Sequence, residues 1–228
     1  MLSADNLFVK GRHSPLLPPT SLTVRAGELF LACGGNQSVR TALALTLSGR
    51  MRPTSGSVSW GRDPRPEHLR RHAALLDSPE VSEPERHLRV RDLVAEDLAL
   101  IPRRSRPRTG ASAWLSGEGL ADLGPLWIEE LDASARLDLL LRLALADAAV
   151  NLLVVDSPDR HGPDPDAWLP LLAEAVSAAG RQVTAVAVVA QLPAEWTGPS
   201  AVAGDTADTN AGSGADTAGT AQTAKASA

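Results

Sequence analysis

Leu29-Phe30-Leu31-Ala32-Cys33-Gly34-Gly35-Asn36-Gln37-Ser38-Val39-Arg40-Thr41-Ala42-Leu43-Ala44-Leu45 passes from a short apolar run, through a polar loop opened by two glycines, into interleaved leucine and alanine. Residues 29–33 have the length of a buried strand, and residues 41–50 suit a buried helix better than an exposed strand. A strand, a loop and a helix in that order build a parallel sheet. The same order returns downstream. Residues 151–155 form a continuous apolar strand ending in Asp156, Gly162-Pro163-Asp164-Pro165 breaks the chain, and residues 168–179 read as a helix ended by Gly180. Residues 182–190 are a further β-branched, apolar strand. Buried strands alternating with helices predict an α/β domain with a mainly parallel core sheet flanked by helices.

Outward from these units, residues 21–24 and 29–33 read as adjacent strands joined by the turn Arg25-Ala26-Gly27-Glu28, and residues 57–60 as another short strand, giving a small β subdomain. Residues 73–76 are apolar, and residues 90–100 have a helical pattern. Residues 102–119, rich in arginine, proline and glycine, read as a mobile connection inside a separable helical lobe at about 77–135. Asp132 has the character of an N-cap for a helix running to Ala149. Residues 1–197 then make one domain. Residues 198–228, mostly alanine, threonine, glycine, serine and aspartate, hold almost nothing large enough to bury and read as a disordered tail.

Composition narrows the function classes. With 228 residues and 43% hydrophobic residues the chain can bury a full core. A net charge of −5 with arginines scattered along the sequence gives no electrostatic footprint for nucleic acid. The single Cys33 excludes an internal disulfide and reads as a small buried residue at a strand end, and residues 1–14 lack the apolar core of a signal peptide. The most apolar stretch, residues 137–155, is broken by Asp138, Arg142, Asp147 and Asn151, so membrane attachment is expected only through a partner. These points predict a cytoplasmic chain.

The order of short motifs resembles a known family. Ser21-Leu22-Thr23-Val24-Arg25-Ala26-Gly27-Glu28, the Gly34 loop, residues 47–58 (LSGRMRPTSGSV) and Leu152-Leu153-Val154-Val155-Asp156 look like the ABC ATPase cassette, whose pattern reads SLTVRAGE, GPNGAGKTTL, LAGLLRPTSGEV, LSGGERQR, LLVLDEP and GLDP, then a switch histidine. The resemblance covers residues 2–195 and lies in order and spacing, because no single motif is intact. It implies a P-loop NTPase-like core with a small antiparallel β subdomain and a helical lobe, ATP and Mg2+ as cofactors, a second ABC cassette and an integral membrane permease as partners, and a docking surface near residues 77–130.

Carried over residue by residue, the resemblance puts the phosphate loop at Gly34, Gly35, Asn36, Ser38, Val39, Arg40, Thr41 and Ala42, with Gln37 and Val39 at the later glycine positions and Arg40 at the lysine position. The loop works in the family because backbone N–H groups wrap the phosphates, which a β-branched valine hinders, and because a compact ammonium reaches the outer phosphates, where a guanidinium is wider. Thr41 and Asp156 take the magnesium positions. Ser157 takes the place of the glutamate that polarises water and has no carboxylate to act as a base. Gln191 stands at the switch position, the lid glutamine falls near Asp77 or Ser78, and His13 is the one stand-in for the adenine-stacking aromatic. Leu115-Ser116-Gly117-Glu118-Gly119 lies 41 residues before Asp156 and reads as a decoy in a linker. The alignment that fits places Leu131 25 residues before Asp156, with Asp132 and following residues where the family has its serine and glycines.

Three functions are therefore in play. The favoured one is a non-hydrolysing or weakly hydrolysing partner or regulatory subunit of a membrane transport complex. The others are an active ATPase in which Asp159 or Glu80 positions the water, and an interaction protein that binds no nucleotide.

Overall fold

The computed structural model describes residues 1–162, 164–178 and 180–206. The chain opens with two antiparallel strands, β1 (Leu2–Val9) and β2 (Leu17–Val24), then enters β3 (Leu29–Cys33), helix α1 (Gln37–Leu47) and β4 (Ser55–Trp60). Next come α2 (Pro66–His72), β5 (Ala73–Leu76), α3 (Val90–Leu100), α4 (Ala111–Gly117) and α5 (Ala133–Leu145). The chain continues with β6 (Leu152–Asp156), α6 (Leu169–Ala178), β7 (Thr184–Val189) and β8 (Ser200–Val202). The strands form a three-stranded antiparallel sheet, β2-β1-β4, and a five-stranded parallel sheet, β5-β6-β7-β3-β8.

The parallel sheet is apolar on both faces, which explains why its strands read as unbroken hydrophobic runs. Side chains alternate between two cores. Leu31, Leu153, Val155, Ala187 and Val189 meet the layer that includes α3, α5 and α6, whereas Phe30, Ala32, Leu152, Val154 and Val188 pack towards α1 and the antiparallel sheet. Leu152 through Asp156 are all buried, so β6 is the interior strand that delivers the carboxylate of Asp156 to the edge of the sheet.

Four local readings change. The strands at 21–24 and 29–33 follow one another but belong to different sheets: β2 pairs with β1 and β3 with β7, and the turn containing Gly27 (φ +78°) carries the chain between layers. Strand β1, unmarked in the sequence pattern, is hidden by a bulge. Its buried residues Leu2, Ala4, Leu7 and Val9 break their alternation at Asn6 (φ +46°), where the register shifts. Gly56 lies against that bulge, and a β-carbon there would sit 2.2 Å from the Asn6 carbonyl oxygen. Residues 102–119 are not all connection, because α4 buries Trp114 and Leu115 in the helical layer; the arginines and prolines stop at residue 108. Helix α1 starts at Gln37 rather than Thr41, since the Asn36 side chain caps it by accepting from the Val39 N–H at 2.9 Å. That places Arg40 and Thr41 in the first turns.

The expected boundary at residue 197 cuts off an element of the sheet. β8 pairs parallel with β3, and the segment around it bonds to both layers: Ala203 N–H donates to the Cys33 carbonyl (2.7 Å) and Ser21 N–H to the Asp205 carbonyl (2.8 Å). Ala201 is buried in the core shared by α1 and the antiparallel sheet. The rest of the anticipated tail, residues 207–228, lies outside the described residues. At about 0.5–1.5 kcal/mol for each backbone hydrogen bond lost, a chain ending at Trp196 should be less stable in urea than one ending at Thr206 by a few of those increments. Equal unfolding midpoints would show that β8 adds nothing to the fold.

Candidate functional site

The site is assembled at the ends of β3 and β6 and the start of α1. Gly34 N–H donates to the Val189 carbonyl (2.9 Å) and Ser157 N–H to the Val188 carbonyl (2.8 Å), so β7 holds both loops in place as they leave the sheet. Ser157 adopts a left-handed conformation (φ 57°, ψ 58°), unusual for a residue with a side chain, and its hydroxyl donates to Asp156 Oδ1 at 2.9 Å.

Asp156 is fully buried and its carboxylate is surrounded by donors. Oδ2 accepts from the hydroxyls of Thr41 and Ser78, both at 2.8 Å, and Oδ1 accepts from Ser157 and from Gln37 Nε2 at 3.2 Å. The Gln37 amide also reaches Thr41 Oγ1 (3.0 Å) and Ser157 Oγ (3.1 Å). Thr41 and Asp156, 115 residues apart, therefore face each other across one cleft. A carboxylate has about four lone-pair sites, so this one is satisfied by the chain itself.

Arg40 is turned inward. Its Nη1 donates to the carbonyls of Gly34 and Gly35 (both 3.1 Å), its Nη2 to Gln37 Oε1 (2.7 Å) and its Nε to Ser157 Oγ (2.9 Å). Gly34 makes the space for this, because a β-carbon there would come within 2.9 Å of Arg40 Cγ. The guanidinium spends its donors on loop carbonyls and side chains. Gln37 and Ser78 thus join the site's hydrogen bonds, although the motif alignment, which put Gln37 at a glycine position and Ser78 near the lid, gave neither a binding role. The signal for Gln37 was the replacement of a glycine by a long amide; for Ser78 there was only its place near the expected lid.

The other candidate residues do not join this cluster's hydrogen bonds. Asn36 is committed to capping α1, Ser38 is exposed, Val39 is half-buried and Ala42 is buried in the core. Asp159 Oδ2 accepts from the Ala190 N–H at 2.8 Å, which ties it to the end of β7, and Oδ1 is buried without a partner. Glu80 (φ +60°), Gln191 and His13 are exposed. Asp132 caps α5 by accepting from the Ala135 N–H at 2.7 Å. Cys33, expected to be buried, is half-buried, and its thiol donates to the Ala190 carbonyl at 3.2 Å. Burial pushes that thiol's pKa up, which keeps it protonated.

Next to Ser78, an ionic cluster fixes the wall of the cleft. Asp77 is 4% exposed and receives Arg136 Nη2 at 2.6 Å and His161 Nε2 at 2.7 Å, with Arg160 Nη2 at 3.5 Å. Glu83 pairs with Arg160 at 3.1 Å and with Arg136 at 3.8 Å. Asp77, Glu83 and His161 offer ligand atoms within 4.8 Å of one another, but two guanidiniums already supply the positive charge there. Burial raises the pKa of Asp77, yet the hydrogen bonds from His161 and Arg136 and the charge of Arg136 outweigh that and hold it below the ordinary carboxylate value. The stability this contributes is complete above the unfolded-state pKa, about 3.9, and disappears as pH falls through the lower folded-state value. Asp77→Asn should therefore destabilise the fold by about 3–5 kcal/mol at neutral pH, the usual cost of breaking a buried pair. In urea melts the gap to the parent chain should narrow once the pH drops below about 4; a gap independent of pH would assign the loss to packing.

No protein-family model matches the chain. Over 155 residues, 63% of its length, it is 34% identical to the hemin import ATP-binding protein HmuV of Rhodopseudomonas palustris, and it spans 56% of that relative's length. Among solved structures it superposes on the dimeric bacterial ABC transporter cassette MJ0796 with a TM-score of 0.62 and 16% identity, covering 84% of this chain and 88% of that one. A nucleotide-free ATP-binding cassette from an ABC transporter gives a TM-score of 0.60 and 15% identity, covering 83% and 81%. The fold is that of the ABC ATPase cassettes. The sequence is similar to an ATP-binding subunit.

Proposed function

We propose that this chain, an ABC-type cassette by fold and by its likeness to an ATP-binding subunit, is a non-hydrolysing or weakly hydrolysing subunit of a membrane transport complex. The observation that carries the reading is the internal saturation of the phosphate loop. Asp156 is hydrogen-bonded by Ser157, Thr41, Ser78 and Gln37, and Arg40 donates to the loop's own carbonyls. Phosphoryl transfer depends on preorganised charge at the outer phosphates and on a group that positions water. Here the cation points into the loop, and Ser157 brings a hydroxyl to the position of the base.

Thr41 and Asp156 are the residues that would hold Mg2+, and their juxtaposition fits that role. Bound magnesium would neutralise phosphate charge. Arg40 does not fit the lysine's task in the conformation it adopts, so no hydrolytic step is assigned to it. The reading of an active ATPase needs another base: Asp159 has one oxygen tied to the Ala190 N–H and one buried without a partner, and Glu80 is exposed.

Attachment to a membrane would come through a permease, with a second cassette as the other partner. No helix among the described residues is long and apolar enough to cross a membrane. A groove of about 990 Å³ runs between β5, α3 and α5, with Asp77 in its wall and Val81 and Ser82 three and four residues beyond Ser78. A permease segment seated there would press on the same short stretch of chain that touches Asp156.

Purified chain should hydrolyse ATP no faster than its Arg40→Ala and Asp156→Ala variants; turnover that those changes abolish would overturn the proposal. Restoring the loop with Gln37→Gly, Val39→Gly and Arg40→Lys together should tighten Mg2+-dependent binding of a non-hydrolysable ATP analogue in calorimetry by about tenfold or more, equivalent to about 1.4 kcal/mol. If the unaltered chain already binds the analogue as tightly as the restored one, the internal hydrogen bonds do not close the site.

A further inference from the structure

Where α5 and α6 pack together, a groove of about 240 Å³ stays open between them, with Glu118, the residue that ends α4, also in its lining. Asp138, Leu141, Arg142 and Leu145 stand on one stripe of α5, and Leu171, Glu174 and Ala175 on one stripe of α6. Leu140, Leu143 and Ala144, which line the 990 Å³ groove, belong to another stripe of α5. The apolar part of the lining is recessed: Leu141 is buried, and Leu145, Leu171 and Ala175 are half-buried against the same core. The charged part is unbalanced. Arg142 donates from Nε to Asp138 Oδ1 at 2.8 Å and from Nη1 to Glu118 Oε2 at 3.3 Å, so one guanidinium serves two carboxylates. Glu174 is exposed, and among the described residues its carboxylate makes no hydrogen bond or ion pair; no residue three or four places away on α6 is a cation. Arg181, beside Leu145, donates to the carbonyls of Leu145 (2.9 Å) and Asp147 (3.1 Å) and is not in the lining. The groove therefore carries an excess of two negative charges next to an apolar base.

We propose that this groove binds a linear aliphatic diammonium, with its methylene chain against the leucines and its two ammonium ends among the carboxylates. Methylene groups gain from leaving water against leucine, and an ammonium brings only donors to oxygens that only accept. The two features together select against other cations. A hard metal ion takes about six or more oxygen ligands and gains nothing from leucines. A monoammonium answers one of the two surplus charges, and a further guanidinium plane repeats what Arg142 already supplies. The volume lies below the roughly 300–1,000 Å³ of pockets for drug-sized ligands, which suits a slim, unbranched chain. The groove shares no lining residue with the phosphate loop, so its occupancy stands apart from the nucleotide chemistry.

The test is calorimetric titration of the full chain with diaminobutane, beside butylamine and butanediol at matched ionic strength. Diaminobutane should bind saturably, butylamine about fivefold more weakly for want of one partly exposed ion pair, and butanediol not at all. Added salt should weaken the binding. Glu174→Gln changes an exposed side chain without an internal partner, so the fold should be kept, and it should weaken diaminobutane about fivefold. Glu174→Lys, which brings an ammonium of the chain's own to the groove, should abolish binding. The proposal fails if both Glu174 variants bind diaminobutane like the parent chain, if butylamine or butanediol binds as tightly as the diamine, or if a lysine-bearing peptide is taken up and the free diamine is not.

Discussion

A fully buried carboxylate at the end of an interior strand must be surrounded by donors, and the site follows from how Asp156 meets that demand. Its partners come from three places: Thr41 and Gln37 from the first turns of α1, Ser78 from the segment after β5, and Ser157 from the left-handed turn that ends β6. The parallel pairing of β6 with β5 and β7, and of β7 with β3, brings those places together. Every hydrogen bond that the structure gives this carboxylate comes from the chain itself.

Arg40 shows how one replacement alters the economy of such a loop. An ammonium offers three donors from a single point, whereas a guanidinium spreads five over a rigid plane. Gly34, Gly35, Gln37 and Ser157 between them supply acceptors for that plane. The amide of Gln37 and the hydroxyl of Ser157 are therefore coupled to Arg40, and changes at any of the three are not expected to be additive. The Asp77 cluster does comparable work one step away, fixing the chain beside Ser78 against α5 and the turn after β6.

The two sheets are also joined by a segment that composition marked as tail. Residues 199–205 bond to β3 on one side and β2 on the other, so they stitch the antiparallel layer to the parallel one. Ala201 is buried there and Val202 is 44% exposed, so the segment is held mainly by its backbone pairing.

The sequence by itself determined the alternation of buried strands and helices, the loop between β3 and α1 and the cap at Asp132, while the juxtaposition of Thr41 and Asp156 was only implied by the family resemblance. Those features rest on local patterns: apolar runs, capping residues and glycine breaks declare themselves over a few neighbours. Tertiary structure decided the rest. β1 was hidden by its bulge, α4 by the basic stretch before it, and β8 by small residues whose burial depends on a distant strand. The inward turn of Arg40 and the saturation of Asp156 involve partners up to 120 residues apart. No local pattern encodes such meetings, because hydrogen bonding and charge act through space while the sequence records only order along the chain.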